Sequence, residues 1–227
     1  METRELIEEY VDILLNSPDI HSLIIGSPAG LGKTTIVLNK IANMGLVEDR
    51  HFVYQTGYIT PLKFYEFLSR CRTLELPKLI VLDDIDSIIL NKTSLGILKC
   101  ALTEARGKRI VKYESRSSEE KEFEFNGKII LITNNLSDNK QLAPVLDRGI
   151  VYNFEKDLPI FIKYIETHLT EIYPSLNKEE KIEVWERVKR FVGMPNFSFR
   201  VLNRAFAFYK NNKKNWYELF VRSLRKL

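Results

Sequence analysis

The residues best placed to do chemistry are Gly30, Gly32, Lys33 and Thr34, in the run Leu23-Ile24-Ile25-Gly26-Ser27-Pro28-Ala29-Gly30-Leu31-Gly32-Lys33-Thr34-Thr35. The two glycines let the backbone wrap so that successive N–H groups face phosphate oxygens, and a following helix adds its positive N-terminal end. Ser27, Pro28, Ala29, Gly30, Leu31, Gly32, Lys33, Thr34 and Thr35 are therefore candidate nucleotide-binding residues. Lys33 is expected at a ligand-exposed loop, reaching the β- and γ-phosphates, with the Thr34 hydroxyl on Mg²⁺. Counted back from Gly32, the pattern G-x-x-x-x-G-K-[ST] puts Ser27 where the first Gly belongs and Gly26 one residue early. A small residue still fits there. The plain alternative is a Gly/Pro turn between a strand and a helix.

Two further polar groups follow apolar runs. Leu79-Ile80-Val81-Leu82 leads into Asp83 and Asp84, and Ile129-Ile130-Leu131-Ile132 leads into Thr133-Asn134-Asn135. Continuous apolar runs of this length mark strands covered on both faces of a parallel sheet, and ligands bind at the carboxyl ends of such strands. Phosphoryl transfer to water needs a held metal and an oriented water. Asp83 is the candidate for Mg²⁺, through a water, and Asp84 the candidate for polarising the attacking water. An ordinary strand-end carboxylate is the competing reading of Asp83.

The elements that must position these groups can be read from periodicity. Residues 2–16 carry a helical apolar stripe, and strands are predicted at about 22–26, 51–59, 79–82, 129–132 and 150–154. Helices are predicted to about Asn43, over 60–73 with Thr60 as cap and Pro61 at the first position, and over 94–105. Alternating segments at 109–114 and 122–125 predict a β-hairpin insertion. Everything after Asp157 reads as helical, over about 157–171, 177–192, 198–211 and 214–225. The fold class is thus α/β, a parallel sheet with flanking helices over 1–156, followed by a small all-helical domain over 157–227.

The 227 residues include 44% hydrophobic and 28% charged, the composition of an ordinary globular protein. Residues 158–227 hold 14 basic against 7 acidic side chains, a net of +7 that suits either a polyanionic partner or a solvated basic face. Lys210, Lys213 and Lys214 around Trp216, with Arg222, Arg225 and Lys226 beyond, form a candidate cationic strip for DNA phosphates; the alternative is that Trp216 packs inside. The acidic N-terminus and the lack of a long apolar run predict an intracellular, cytoplasmic protein with no membrane partner. Cys71 and Cys100 have no metal-ligand spacing.

In order and motif the chain resembles the AAA+ ATPases, over about 20–212. The glycine loop looks like their Walker A, a P-loop NTPase feature, and Leu79 to Asp84 like their Walker B strand. Thr133-Asn134 looks like their sensor 1, whose side chain helps place the water. The resemblance implies catalytic roles for Asp84, Asn134 and Arg148, the last at the arginine-finger position that serves a neighbouring subunit. Arg200, in Ser198-Phe199-Arg200 at the start of a lid helix, looks like sensor 2. Plain surface or salt-bridging arginines remain the alternative at 148 and 200. The implied function is an ATPase using ATP and Mg²⁺, forming a ring or helical homo-oligomer and acting on DNA, with a partner protein open. Asp84 stands where the family usually has Glu, and a side chain one methylene shorter implies slow turnover. The segment Phe123 to Asn134 also resembles small ATPases of phages and mobile elements.

Two features bear on the substrate. The 109–125 hairpin resembles the pre-sensor hairpin of AAA+ helicases, though Arg116 and Lys121 share its tip with Glu114, Glu119 and Glu120, which is poor chemistry for holding phosphates. Gly57-Tyr58-Ile59 is similar to the aromatic pore loop of protein unfoldases, and Tyr58 otherwise reads as a strand aromatic. A protein-remodelling ATPase and a STAND-type nucleotide switch, suggested by Leu82-Asp83-Asp84, are the rival functions.

Overall fold

The apolar runs become strands buried on both faces. The computed structural model describes residues 3–84, 86–114, 121–134, 136, 142–155 and 157–224, with the Asp86 side chain excepted. The sequence candidates Arg116, Glu119, Glu120, Asn135, Arg225 and Lys226 lie outside the described residues. Along the chain run α1 (Thr3–Asn16), β1 (Ser22–Gly26), α2 (Lys33–Asn43), β2 (Phe52–Thr56), α3 (Pro61–Cys71) and β3 (Leu79–Asp83). Next come α4 (Asp86–Leu90), α5 (Lys92–Leu102), β4 (Ile110–Lys112), β5 (Glu122–Glu124), β6 (Lys128–Thr133), α6 (Ala143–Leu146) and β7 (Ile150–Asn153). The last helices are α7 (Leu158–His168), α8 (Lys178–Val188), α9 (Phe199–Asn211) and α10 (Trp216–Leu224).

The chain divides into two compact units, Met1–Ser27 with Lys33–Phe154, and Pro28–Gly32 with Glu155–Leu227. In the first, five parallel strands lie in the order β2-β3-β6-β1-β7. Side chains alternate across the pleat. Leu23, Ile25, Leu79, Val81, Ile130 and Ile132 meet Ile7 and Val11 of α1 and Val37 and Ile41 of α2 on one face. Ile24, Ile80, Leu82, Ile129 and Leu131 meet Phe64 and Leu68 of α3 and Leu95 and Leu98 of α5 on the other. A one-residue slip would exchange the two faces, so this two-sided packing fixes the register that the site depends on. β4 and β5 form a separate antiparallel pair, with Val111 and Phe123 buried in the second face.

Helix starts follow local chemistry. Thr60 Oγ1 accepts from Lys63 N ahead of α3, with Pro61 first in the helix. Asn91 Oδ1 accepts from the N–H groups of Thr93 and Ser94, each at 3.0 Å, which starts α5 two residues before the predicted 94 and ends it at Leu102. The five-residue α4 is too short for periodicity to reveal. The second strand is shorter than the predicted 51–59: Gly57 takes φ +82° and ends the pleat after Thr56. Tyr58 is therefore no strand aromatic, and it is 82% exposed.

Gly149 fixes the turn into β7. A Cβ there would lie 2.1 Å from Ser22 Oγ and 2.4 Å from Ser22 O. Gly149→Ala is expected to cost about 3 kcal/mol, the upper range for overpacking, because the opposing atoms include backbone. Chemical denaturation would show it as a lower midpoint with unchanged slope.

In the second unit α9 packs against α8 and α10. Trp216 is buried there, edge-to-face on Tyr209 with centroids 5.6 Å apart, and Tyr209 OH donates to Glu183 at 2.7 Å. This decides between the two readings of Trp216, which packs inside and is no exposed aromatic beside the cations. Trp216 belongs to the core, Lys213 pairs with Glu180 at 2.5 Å, and Arg222 pairs with Glu218 at 2.6 Å. Among the described residues, no helix is long and apolar enough to cross a membrane.

Candidate functional site

Strand order brings the polar strand ends together. β6 lies between β1 and β3, with Gly26 opposite Thr133 and Asp83 opposite Ile132. Ser27, Asn134 and Asp84 therefore leave three adjacent strands at one end of the sheet, at a spacing of about 4.8 Å. Backbone bonds from Ser27 N to Thr133 O (3.3 Å) and from Asp84 N to Ile132 O (3.2 Å) extend the pairing past the strands.

Lys33 opens α2, and its side chain is buried, contrary to the expectation of a ligand-exposed loop residue. Acceptors at those strand ends draw it in. Its ammonium donates to Ser27 O at 2.6 Å and to Asn134 Oδ1 at 3.0 Å. Asn134 Nδ2 in turn donates to Asp84 Oδ1 at 2.5 Å. One amide thus links the cation to the carboxylate, accepting with its oxygen and donating with its nitrogen. Asp84 sits at φ +50°, a left-handed conformation that Asp tolerates better than most side chains.

Asp83 is buried at the end of β3, and its Oδ2 accepts from two hydroxyls, Thr34 Oγ1 at 2.7 Å and Tyr54 OH at 2.8 Å. Burial, and then the bond to Asp83, push the Tyr54 phenol up to about 12. A threonine hydroxyl beside a carboxylate is a set of hard oxygen donors of the kind Mg²⁺ takes, so these residues fit that ion. Gly26 serves packing, since a Cβ there would lie 2.3 Å from Leu136 Cδ1 and 2.8 Å from Asn153 Oδ1. That explains the glycine one residue ahead of the motif's first position.

The loop Pro28–Gly32 belongs to the second unit. Gly30 and Gly32 take φ +77° and +88°, which favours glycine at both. Phe199 N donates to Gly30 O at 3.0 Å, and a Cβ on Gly30 would lie 2.6 Å from Ser198 Cβ and 3.8 Å from Arg200 Cγ. Arg200, exposed at the start of α9, is thus beside the loop. Pro28 and Ala29 are exposed, Leu31 is buried, and Thr35 is exposed in the first turn of α2.

Arg148 stands apart. Its carbonyl accepts from Ser22 Oγ at 3.4 Å, at the opposite end of β1 from the loop, and its Nε donates to Thr103 Oγ1 at 2.8 Å. The group that sequence reasoning missed is Tyr54. It shares a sheet face with Phe52 and Thr56 on a parallel strand, and only the adjacency of β2 and β3 reveals its contact with Asp83.

Among solved structures, the chain is similar to the RuvB Holliday junction branch migration motor of Thermotoga maritima, with a TM-score of 0.57 and 14% identity over 98% of this chain and 70% of RuvB. A point mutant of the same RuvB gives a TM-score of 0.58 and 14% identity, over 97% of this chain and 69% of the other. No protein-family model and no curated protein matches the sequence. The chain shares the fold of these structures, a parallel α/β sheet with flanking helices and a helical C-terminal region.

Proposed function

We propose that the chain binds and hydrolyses ATP with Mg²⁺, assembles into a homo-oligomer and acts on DNA. The observation that carries this reading is the convergence of Lys33, Asn134 and Asp84 in one hydrogen-bonded chain, with Thr34 and Asp83 bonded beside it. In it, residues 1–156 form the nucleotide-binding domain and 157–227 a helical lid. Lys33 exchanges Ser27 O and Asn134 for phosphate oxygens, and the backbone from Ser27 to Thr35 wraps the phosphates. Thr34 and Asp83 hold the metal, which when bound neutralises charge on the β- and γ-oxygens. Asp84 orients the attacking water, Asn134 places Asp84, Arg200 contacts the nucleotide, and Arg148 serves a neighbouring copy. The DNA substrate is supported by the fold shared with a Holliday junction motor and by the basic residues of the C-terminal third.

A steady-state ATPase assay with single-stranded DNA, duplex DNA and an unfolded protein tests the substrate. Stimulation by DNA supports the reading, and stimulation by the polypeptide alone moves the chain to protein remodelling. The exposure of Tyr58 favours that second reading. Asp84→Asn is expected to bind ATP within about threefold of wild type while losing turnover by at least about a hundredfold, since only a transition-state interaction is removed. Unchanged turnover would reassign the water-positioning role.

A further inference from the structure

Asp83 Oδ2 receives hydrogen bonds from two different elements. Thr34 Oγ1 donates from α2 at 2.7 Å, and Tyr54 OH donates from β2 at 2.8 Å. A carboxylate oxygen offers two lone pairs, so these two donors occupy Oδ2 and leave Oδ1 as the oxygen open to a further partner. Thr34, donating its hydroxyl hydrogen bond to Asp83, keeps its own oxygen lone pairs available for a cation. Tyr54 itself is carried on a regular strand and packs against the first-face core, so its hydroxyl is held by the sheet.

The chemical type of the donor matters. A lysine or arginine at this point would orient the carboxylate and also cancel its charge, weakening its attraction for a cation. A phenol orients without neutralising. We infer that Tyr54 is a positioning residue for the divalent-cation site, fixing the Asp83 carboxylate so that Oδ1 faces the metal's shell. The inference rests on the nucleotide and Mg²⁺ reading above and adds a residue that neither the sequence motif nor the fold assigns.

Tyr54→Phe removes the hydroxyl and keeps the ring. Binding of a fluorescent ATP analogue is measured in EDTA and across a Mg²⁺ series, for wild type, Tyr54→Phe, Asp83→Asn and the double variant. Removing a group that orients a metal ligand commonly costs about 10–100-fold in metal affinity. Tyr54→Phe is therefore expected to leave affinity in EDTA within about twofold and to raise the Mg²⁺ midpoint about tenfold. In the Asp83→Asn background the same change is expected to add nothing, because the carboxylate it orients is gone. An unaltered Mg²⁺ midpoint overturns the inference, as does an equal loss of affinity with and without metal. A wild type that binds the analogue in EDTA but gains nothing from Mg²⁺ also overturns it while leaving nucleotide binding in place. No binding by the wild type under any condition would instead remove the nucleotide reading, and this inference with it.

Discussion

Arg148→Ala is expected to lower ATP turnover by about 10³–10⁵ while leaving ATP binding intact, the range found for arginine fingers in nucleotide hydrolases. The reason is distance within one chain. The Arg148 carbonyl bonds Ser22 at the start of β1, whereas the phosphate loop leaves the other end of that strand after Gly26. Five strand residues separate those ends by roughly 13 Å. The guanidinium is also turned toward Thr103 at the end of α5. An arginine so placed serves its own nucleotide poorly, so its effect is expected on a neighbour's, and specific activity should rise with protein concentration. Mixing Arg148→Ala with Lys33→Ala is the direct test, because one variant keeps an intact nucleotide site and the other an intact finger. Recovered activity in mixed oligomers supports action in trans. If Arg148 merely ties α6 to Thr103, the variant loses thermal stability and mixing recovers nothing.

The contrast between Arg148 and Lys33 also shows what the sequence could reveal. The glycine loop is contiguous, and its glycines, Lys33 and Thr34 announce themselves by spacing alone. Asp83, Asp84 and Asn134 were legible because each follows an apolar run long enough to be a two-sided strand, and such strands present their ends to ligand. The strand order was not legible in that pattern. Nothing local says that β6 inserts between β1 and β3, yet that insertion is what lets Asn134 touch both Lys33 and Asp84. The burial of Lys33 has the same origin, since two of its acceptors follow β1 and β6. Tyr54 was missed for a related reason: its partner lies on the neighbouring strand, 29 residues away. In the helical region Lys213 read as part of a cationic strip, and its partner Glu180 is 33 residues distant. Periodicity gives each element its faces, but long-range side-chain pairing comes only with packing.

Lys33→Ala is expected to weaken ATP binding by about a hundredfold or more. The ammonium donates, among its bonds, to the carbonyl oxygens of the Ser27 backbone and the Asn134 side chain. Phosphate oxygens carry full negative charge, so the Coulomb attraction between them and the ammonium exceeds what a carbonyl dipole offers, and the exchange favours ligand. Bonds to charged groups contribute about 1.5–3 kcal/mol each, and two of them suffice for a hundredfold. The structure adds a complication, because Lys33 is buried and its removal strips a donor from Ser27 O in the interior. Some loss of stability is therefore expected as well, and binding must be measured below the variant's melting transition. Lys33→Met separates the effects, since it fills more of the same space without the charge. If the charge is what binds phosphate, Met and Ala lose affinity equally while Met melts higher. Asn134→Ala completes the comparison. It removes an acceptor that competes for Lys33, so ATP affinity should hold or rise, while turnover falls because Asp84 loses the amide that places it. Calorimetric titration with ATP and Mg²⁺ across the three variants reads all of this. Wild-type affinity in Lys33→Met would remove the phosphate role of Lys33, and a loss of affinity in Asn134→Ala equal to that in Lys33→Ala would mean that Asn134 supports the fold of the loop and leaves the cation uncontested.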